Sequence, residues 1–267
     1  MTIKEWVYNL EIRGSYTFSV EDAMSANPKY SAAIIHNELY RLCKQKRIMS
    51  VYRGFYAIIP AHYALRGEVP PEYYIDHLMA YLRKPYYVSL LSAGDLHGAA
   101  HQRPQRYFVT TVKPAPRMSA ARTATLHWTY KESLPEHLLQ KRNSETGAIT
   151  FSCPELTAVD LVRYEQHIGG LSRAAEVLAE LCEKTDFSTA AATLFPYTTM
   201  PTIQRLGYIL EHVLEETQQA ETLYEQLRIY GHPYQSIPLF VRGTHDYGTR
   251  DDRWRVIVNG KLDLDEI

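Results

Sequence analysis

Residues 28–59 read PKYSAAIIHNELYRLCKQKRIMSVYRGFYAII. Six of them are Lys or Arg (Lys29, Arg41, Lys44, Lys46, Arg47, Arg53) and one is acidic (Glu38), in a chain with a formal net charge of −1. The first half of the stretch has helical spacing. At about 100° per residue, Ile35, Leu39, Leu42 and Cys43 fall on one side of a helix that Ser31 can cap and that runs to about Lys46, while Ala33, Asn37, Tyr40, Arg41 and Lys44 fall on the other. The second half changes period: two β-branched and aromatic runs flank Arg53-Gly54, which predicts a hairpin with glycine supplying the positive φ of a tight turn. Arginine is not a favoured first turn residue, so the turn type stays open.

Working outward toward the N-terminus, Thr2 and Glu5 have capping-box spacing ahead of Ile3, Trp6, Val7 and Leu10, and Ser19 with Asp22 repeats the device before Pro28 stops a short second helix. Helix, short helix, turn, longer helix and hairpin is the order of a winged helix-turn-helix, expected over residues 1–66. In that fold the third helix enters the major groove and the wing lies along the phosphates or in the minor groove. The expected contacts with duplex DNA follow from side-chain chemistry. Asn37 suits an adenine edge or a phosphate, Arg41 a guanine or a phosphate, and Lys44 a phosphate; Ala33 is small enough for close approach, with Tyr40 beside them. Lys29, Tyr30 and Ser31 sit at the helix N-terminus, where free N–H groups attract phosphate. Arg47, Tyr52 and Arg53 are the expected wing contacts. A protein-binding winged helix would carry the same basic face.

Charge supports this placement. Residues 1–66 hold nine Lys or Arg and five Asp or Glu, leaving twenty basic and twenty-five acidic residues for the rest of the 267. A basic head on an acidic body predicts that only the head meets a polyanion. Hydrophobic residues at 45% and charged residues at 22% predict a globular protein with a real core. No apolar run reaches the ~18–20 residues of a membrane span, and the start lacks a signal-peptide core, so a cytoplasmic protein without a membrane role is expected. Cys43, Cys153 and Cys182 are far apart and odd in number, which fits reduced thiols.

The Pro-rich RGEVPPEYY at 66–74 marks the boundary with a second domain over 67–267. Helices are expected from Tyr73 to Leu82 and in YVSLLSAGDLHGAAH, strands in RYFVTTVK and ARTATLHWTYKE, giving a small mixed sheet at about 85–150. Residues 151–230 read as helical, with Ser152 as a cap, Pro154 in a first turn, Glu155 closing a capping box and Gly169-Gly170 as a stop. The tail reads as a strand with an acidic end. The expected fold class is α+β: an N-terminal winged helix-turn-helix, then a mixed domain with a small sheet and a C-terminal helical portion.

The sequence contains no glycine-rich phosphate loop, G-x-S-x-G elbow, H-E-x-x-H or C-x-x-C. His97 and His101, four apart beside Asp95, have the spacing of two metal ligands on one helix face, but without an intervening catalytic acid or a nameable third ligand. No cofactor and no catalysis are expected. The competing readings are a metal-dependent nuclease directed by the winged head, and an interaction module that binds protein or RNA.

Four segments together resemble the AbiEi family: ELYRLCKQKRIMSVYRGFYAI, PYYVSLLSAGDLHGAAHQRPQ, FSCPELTAVDLVRYEQHIGGL and RWRVIVN. The resemblance covers almost the whole length. It implies an abortive-infection antitoxin of a type IV toxin–antitoxin system that is also a transcriptional regulator. Its winged head would bind inverted repeats in its own promoter and repress the operon, and its body would counter a nucleotidyltransferase toxin encoded nearby, without requiring a stable complex. In that reading His97 and Gly98 mark a helix end.

Overall fold

The computed structural model describes residues 1–100, 104–118, 125–241 and 248–264. The protein is mixed α+β, with many helices and several small sheets. It divides into two compact units, each assembled from separate stretches of sequence: Met1–Tyr86 with Thr111–Trp128 and Lys141–Thr150, and Tyr87–Thr110 with Thr129–Gln140 and Phe151–Ile267.

The first unit begins with α1 (Ile3–Ile12), whose start is fixed by a complete capping box: the Glu5 N–H donates to Thr2 Oγ1 at 3.2 Å and the Thr2 N–H to Glu5 Oε2 at 2.7 Å. Strand β1 (Thr17–Ser19) leads directly into α2 (Val20–Ala26), where Ser19 and Asp22 repeat the reciprocal pairing. Helix α3 (Ala32–Lys44) starts at Ser31, whose hydroxyl accepts from the Ile34 N–H at 3.4 Å. Strands β2 (Ile48–Tyr52) and β3 (Phe55–Ile58) form the hairpin, and the antiparallel sheet has the order β1-β3-β2.

Strand β1 has no counterpart in the sequence reading. Three residues are too few to show alternation, and the strand exists because Thr17, Phe18 and Ser19 pair with Ala57, Tyr56 and Phe55 some forty positions away. The core beneath is built from Ile3, Trp6 and Val7 of α1, Phe18 of β1, Ala23 of α2, Ile35, Leu39 and Leu42 of α3, and Ile48 and Ile58 of the hairpin. Trp6 meets Phe18 edge-on at 5.0 Å, a geometry that contributes about 0.5–1.5 kcal/mol beyond area burial. Helix α4 (Ile75–Tyr81) follows in the same unit.

A five-stranded sheet is formed by β4 (Tyr86–Val88), β5 (Tyr107–Thr111), β6 (Leu126–Tyr130), β7 (Leu139–Ser144) and β8 (Gly147–Ser152), in the order β6-β5-β4-β8-β7. Tyr86–Val88, of which Tyr87 and Val88 are read from sequence as the start of a helix, is a strand whose Val88 pairs in parallel with Phe151. Its three residues are buried, so no polar alternation reveals it. The helix α5 starts only at Leu90 and ends at Leu96.

The core of the second unit is helical. Leu156, Val159 and Leu161 of the helix Pro154–Arg163 join Leu178 and Leu181 of Leu171–Leu181, Leu206 and Ile209 of Met200–His212, and Leu223 and Leu227 of Thr217–Tyr230. Residues 156–162 of Pro154–Arg163 are all buried, which makes it a central helix enclosed on every side. Its cap is Cys153, not Ser152. The Cys153 Sγ accepts from the Leu156 N–H at 3.5 Å, while the Ser152 hydroxyl bonds to Thr157 Oγ1 at 2.6 Å and Glu155 accepts from the Asp186 N–H instead of closing a capping box. Near the C-terminus, β9 (Ile237–Pro238), β10 (Thr249–Asp251) and β11 (Val256–Val258) form a sheet in the order β10-β11-β9.

Candidate functional site

The exposed side of α3 carries Ala33, Asn37, Tyr40, Arg41 and Lys44, while Ile35, Leu39 and Leu42 are buried on the opposite side. Ala33, Asn37 and Arg41 or Lys44 are three to four residues apart, so burial of the apolar stripe fixes their common direction. The last turn holds Arg41 and Lys44, where cations also interact favourably with the helix dipole. Lys44 Nζ lies 5.4 Å from the centre of the Tyr40 ring, and Tyr40 is 63% exposed. At the other end of the helix, Lys29 Nζ lies 4.9 Å from the centre of the Tyr30 ring. Tyr30 itself leans on the core, and the Ser31 hydroxyl is engaged in capping.

The hairpin presents Arg53 at its tip, exposed. Gly54 has φ +76°, and Arg53 is not among the residues with positive φ, so the turn is not of the type that needs two left-handed residues. The tip is tied down from both sides. The Gly54 carbonyl accepts from the Val20 N–H at 2.8 Å, and the Arg53 carbonyl accepts from the Tyr81 hydroxyl at 3.4 Å. A Cβ on Gly54 would approach that hydroxyl to 3.0 Å, a second reason for glycine here. Tyr52 is half-buried and meets the Tyr81 ring edge-on at 6.5 Å. Tyr81 is thus a positioning residue for the hairpin tip, and nothing local in the sequence marks it.

Two cations on this side of the unit have acidic partners. Arg41 Nη1 lies 2.5 Å from Glu38 Oε1, with the arginine 69% and the glutamate 35% exposed. Arg47 Nη2 lies 3.6 Å from Glu11 Oε2, which commits it partly to α1. The Glu38–Arg41 pair is readable in retrospect as an acid three residues before a base on one helix. The Arg47–Glu11 pair joins distant positions and leaves no such trace.

His97, the first of the two spaced histidines, is the C-cap of α5, followed by Gly98 at φ +71°. Its Nε2 is 2.8 Å from the Ser152 carbonyl oxygen, its ring packs on Phe151, and burial holds its pKa below the ordinary 6.5. His101 lies outside the described residues. Among the described residues no group of three or more His, Cys, Asp or Glu is arranged to hold a metal ion. The three cysteines are free; burial pushes the Cys153 and Cys182 thiols up to about 12 and raises that of Cys43, so none is primed as a nucleophile. No helix among the described residues is long and apolar enough to cross a membrane.

A basic, exposed helix face and a helical unit with an enclosed core define a mixed α+β protein whose candidate site lies on the surface. Residues 87–212 match the AbiEi antitoxin C-terminal domain, a match that supports assignment to the AbiEi antitoxin family. The match gives it an antitoxin role within a toxin–antitoxin system, in a family that is generally non-enzymatic. Among solved structures, the RV2827C protein from Mycobacterium tuberculosis is similar over 94% of this chain and 89% of that one, with a TM-score of 0.70 at 14% identity, a likeness of fold. No curated protein matches the sequence.

Proposed function

We propose that residues 1–66 act as a winged helix-turn-helix that binds duplex DNA in the promoter of its own operon, as a repressor, and that residues 67–267 counter a nucleotidyltransferase toxin encoded nearby. The observation that carries the DNA-binding reading is the exposed stripe on α3: Asn37, Arg41 and Lys44 share one face, with the small Ala33 at the end from which a recognition helix meets base edges. On this reading Asn37 and Arg41 read bases, while Lys44, Lys29 and the hairpin-tip Arg53 hold phosphates. Arg47, Tyr30, Ser31 and Tyr52 support the surface more than they reach from it, given their partners, and the exposed Tyr40 lies beside Lys44. The toxin class rests on the family, and a type IV arrangement, in which the antitoxin acts without a stable complex, is part of the same proposal.

The test is binding of the purified chain to the duplex upstream of its own reading frame, alongside an RNA duplex of the same sequence at the same salt. Groove docking predicts tight binding to DNA and weak binding to RNA, because the A-form major groove does not admit the helix. Equal binding to both would overturn it.

A further inference from the structure

Glu38 is an acid in the middle of a surface proposed to meet phosphates, and it is bound to the residue proposed to read a base. Its carboxylate lies 2.5 Å from Arg41 Nη1, and it is the more enclosed partner, 35% exposed against 69%. Lys44 is placed differently, over the exposed Tyr40 ring and without an acidic partner among the described residues. The two cations of the last turn are thus held by different means. An exposed Glu–Arg pair at this spacing contributes little to helix stability, so its presence on a polyanion-binding face asks for another reason.

We infer that Glu38 is a specificity-determining residue: it fixes the Arg41 guanidinium for a base edge and withholds it from the phosphates. The inference rests on the DNA-binding reading above. A free arginine on this face would take the nearest phosphate in any sequence, which adds affinity without discrimination. Paired through one nitrogen to Glu38, the guanidinium keeps its remaining N–H groups for an acceptor pair such as guanine O6 and N7, and its rotamer is set before docking. Glu38 also adds repulsion toward every backbone phosphate within a Debye length, a penalty that only a correct base contact offsets.

The experiment measures, at one salt concentration, the affinity of wild type, E38Q, R41A and E38Q/R41A for the duplex upstream of the reading frame and for a scrambled duplex of equal length and composition. Glutamine keeps the length and helix propensity of glutamate, and the site is partly exposed and outside the core, so folding is not at issue. E38Q is expected to bind the scrambled duplex about 3- to 10-fold more tightly, with a log–log salt dependence steeper by up to about 0.9 as Arg41 takes a phosphate. The upstream duplex gains less, so the ratio of the two affinities falls. In the R41A background the same exchange changes both affinities by one common factor. A ratio unchanged by E38Q, or lowered equally with and without Arg41, overturns the inference and leaves the DNA-binding reading standing. Failure of wild type to bind either duplex removes that reading and the inference together.

Discussion

Lys131 Nζ lies 2.7 Å from Asp160 Oδ1, with only 3% and 0% of the two side chains exposed. The ammonium is poorly aligned for a hydrogen bond to that oxygen and is 3.2 Å from the Tyr197 carbonyl, while the Tyr87 hydroxyl donates to Asp160 Oδ2 at 2.6 Å. Burial, then the nearby carboxylate, raises the Tyr87 pKa well above its ordinary value, so the phenol remains a donor. The pair lies in the second unit and within residues 87–212, the stretch that matches the antitoxin domain.

A buried pair is costly to break because the survivor is left charged and unpartnered. K131M or D160N alone is expected to destabilise the fold by about 3–5 kcal/mol, while K131M/D160N, which keeps an acceptor for Tyr87, loses less than the sum of the single changes. Chemical denaturation midpoints of wild type and the three variants check this. Additive losses would mean the two charges do not act as a pair.

Gly207 lies within the helix Met200–His212, and a Cβ there would overlap the ring of Trp254, which is fully buried. The Trp254 indole N–H donates to Glu211 at 2.6 Å, so the ring has little freedom to withdraw. In an exposed helix G207A would gain about 1 kcal/mol; here overpacking wins, and a net loss of about 1–3 kcal/mol is expected in thermal or urea melts. A stabilised G207A would contradict this packing.

His97 favours its neutral form in the fold, because burial lowers its pKa and the adjacent Lys184 adds to that, against the opposing hydrogen bond that its ring donates to the Ser152 carbonyl. Between the folded pKa and 6.5 the unfolded chain therefore binds more protons. The histidine's contribution to stability is present above pH 6.5 and declines as pH falls through the folded value. Subtracting the stability–pH curve of H97Q from that of wild type should leave this acid-side decline. A flat difference would contradict the assignment.

With Cys153 and Cys182 raised to about 12 and Cys43 raised as well, alkylation of the native protein at pH 8 should be slow at all three positions and complete on addition of denaturant. Mass-resolved labelling reads each site. Rapid native labelling of Cys153 would show that the burial around it is wrong.

What the sequence disclosed was mostly local. The Thr2–Glu5 and Ser19–Asp22 caps are set by residues three apart, and the apolar side of α3 follows from helical spacing alone. The elements missed lack a local signal: β1 exists through the distant β3, and β7 is polar and mostly exposed, without the alternation that marks a half-buried strand. The site divides similarly. The outward direction of Asn37, Arg41 and Lys44 is a matter of period. That Tyr81 steadies the hairpin tip, and that Arg47 is drawn to Glu11, are consequences of tertiary packing.

The salt dependence of binding to the upstream duplex tests the central claim most directly. If two copies each neutralise about four phosphates, the slope of log affinity against log salt is expected near −7, at roughly 0.9 per phosphate. K44A should weaken upstream and scrambled duplexes alike and make the slope shallower by about 0.9, whereas N37A should relax preference at particular bases. Binding that barely responds to salt, or a slope that K44A leaves unchanged, would contradict the account.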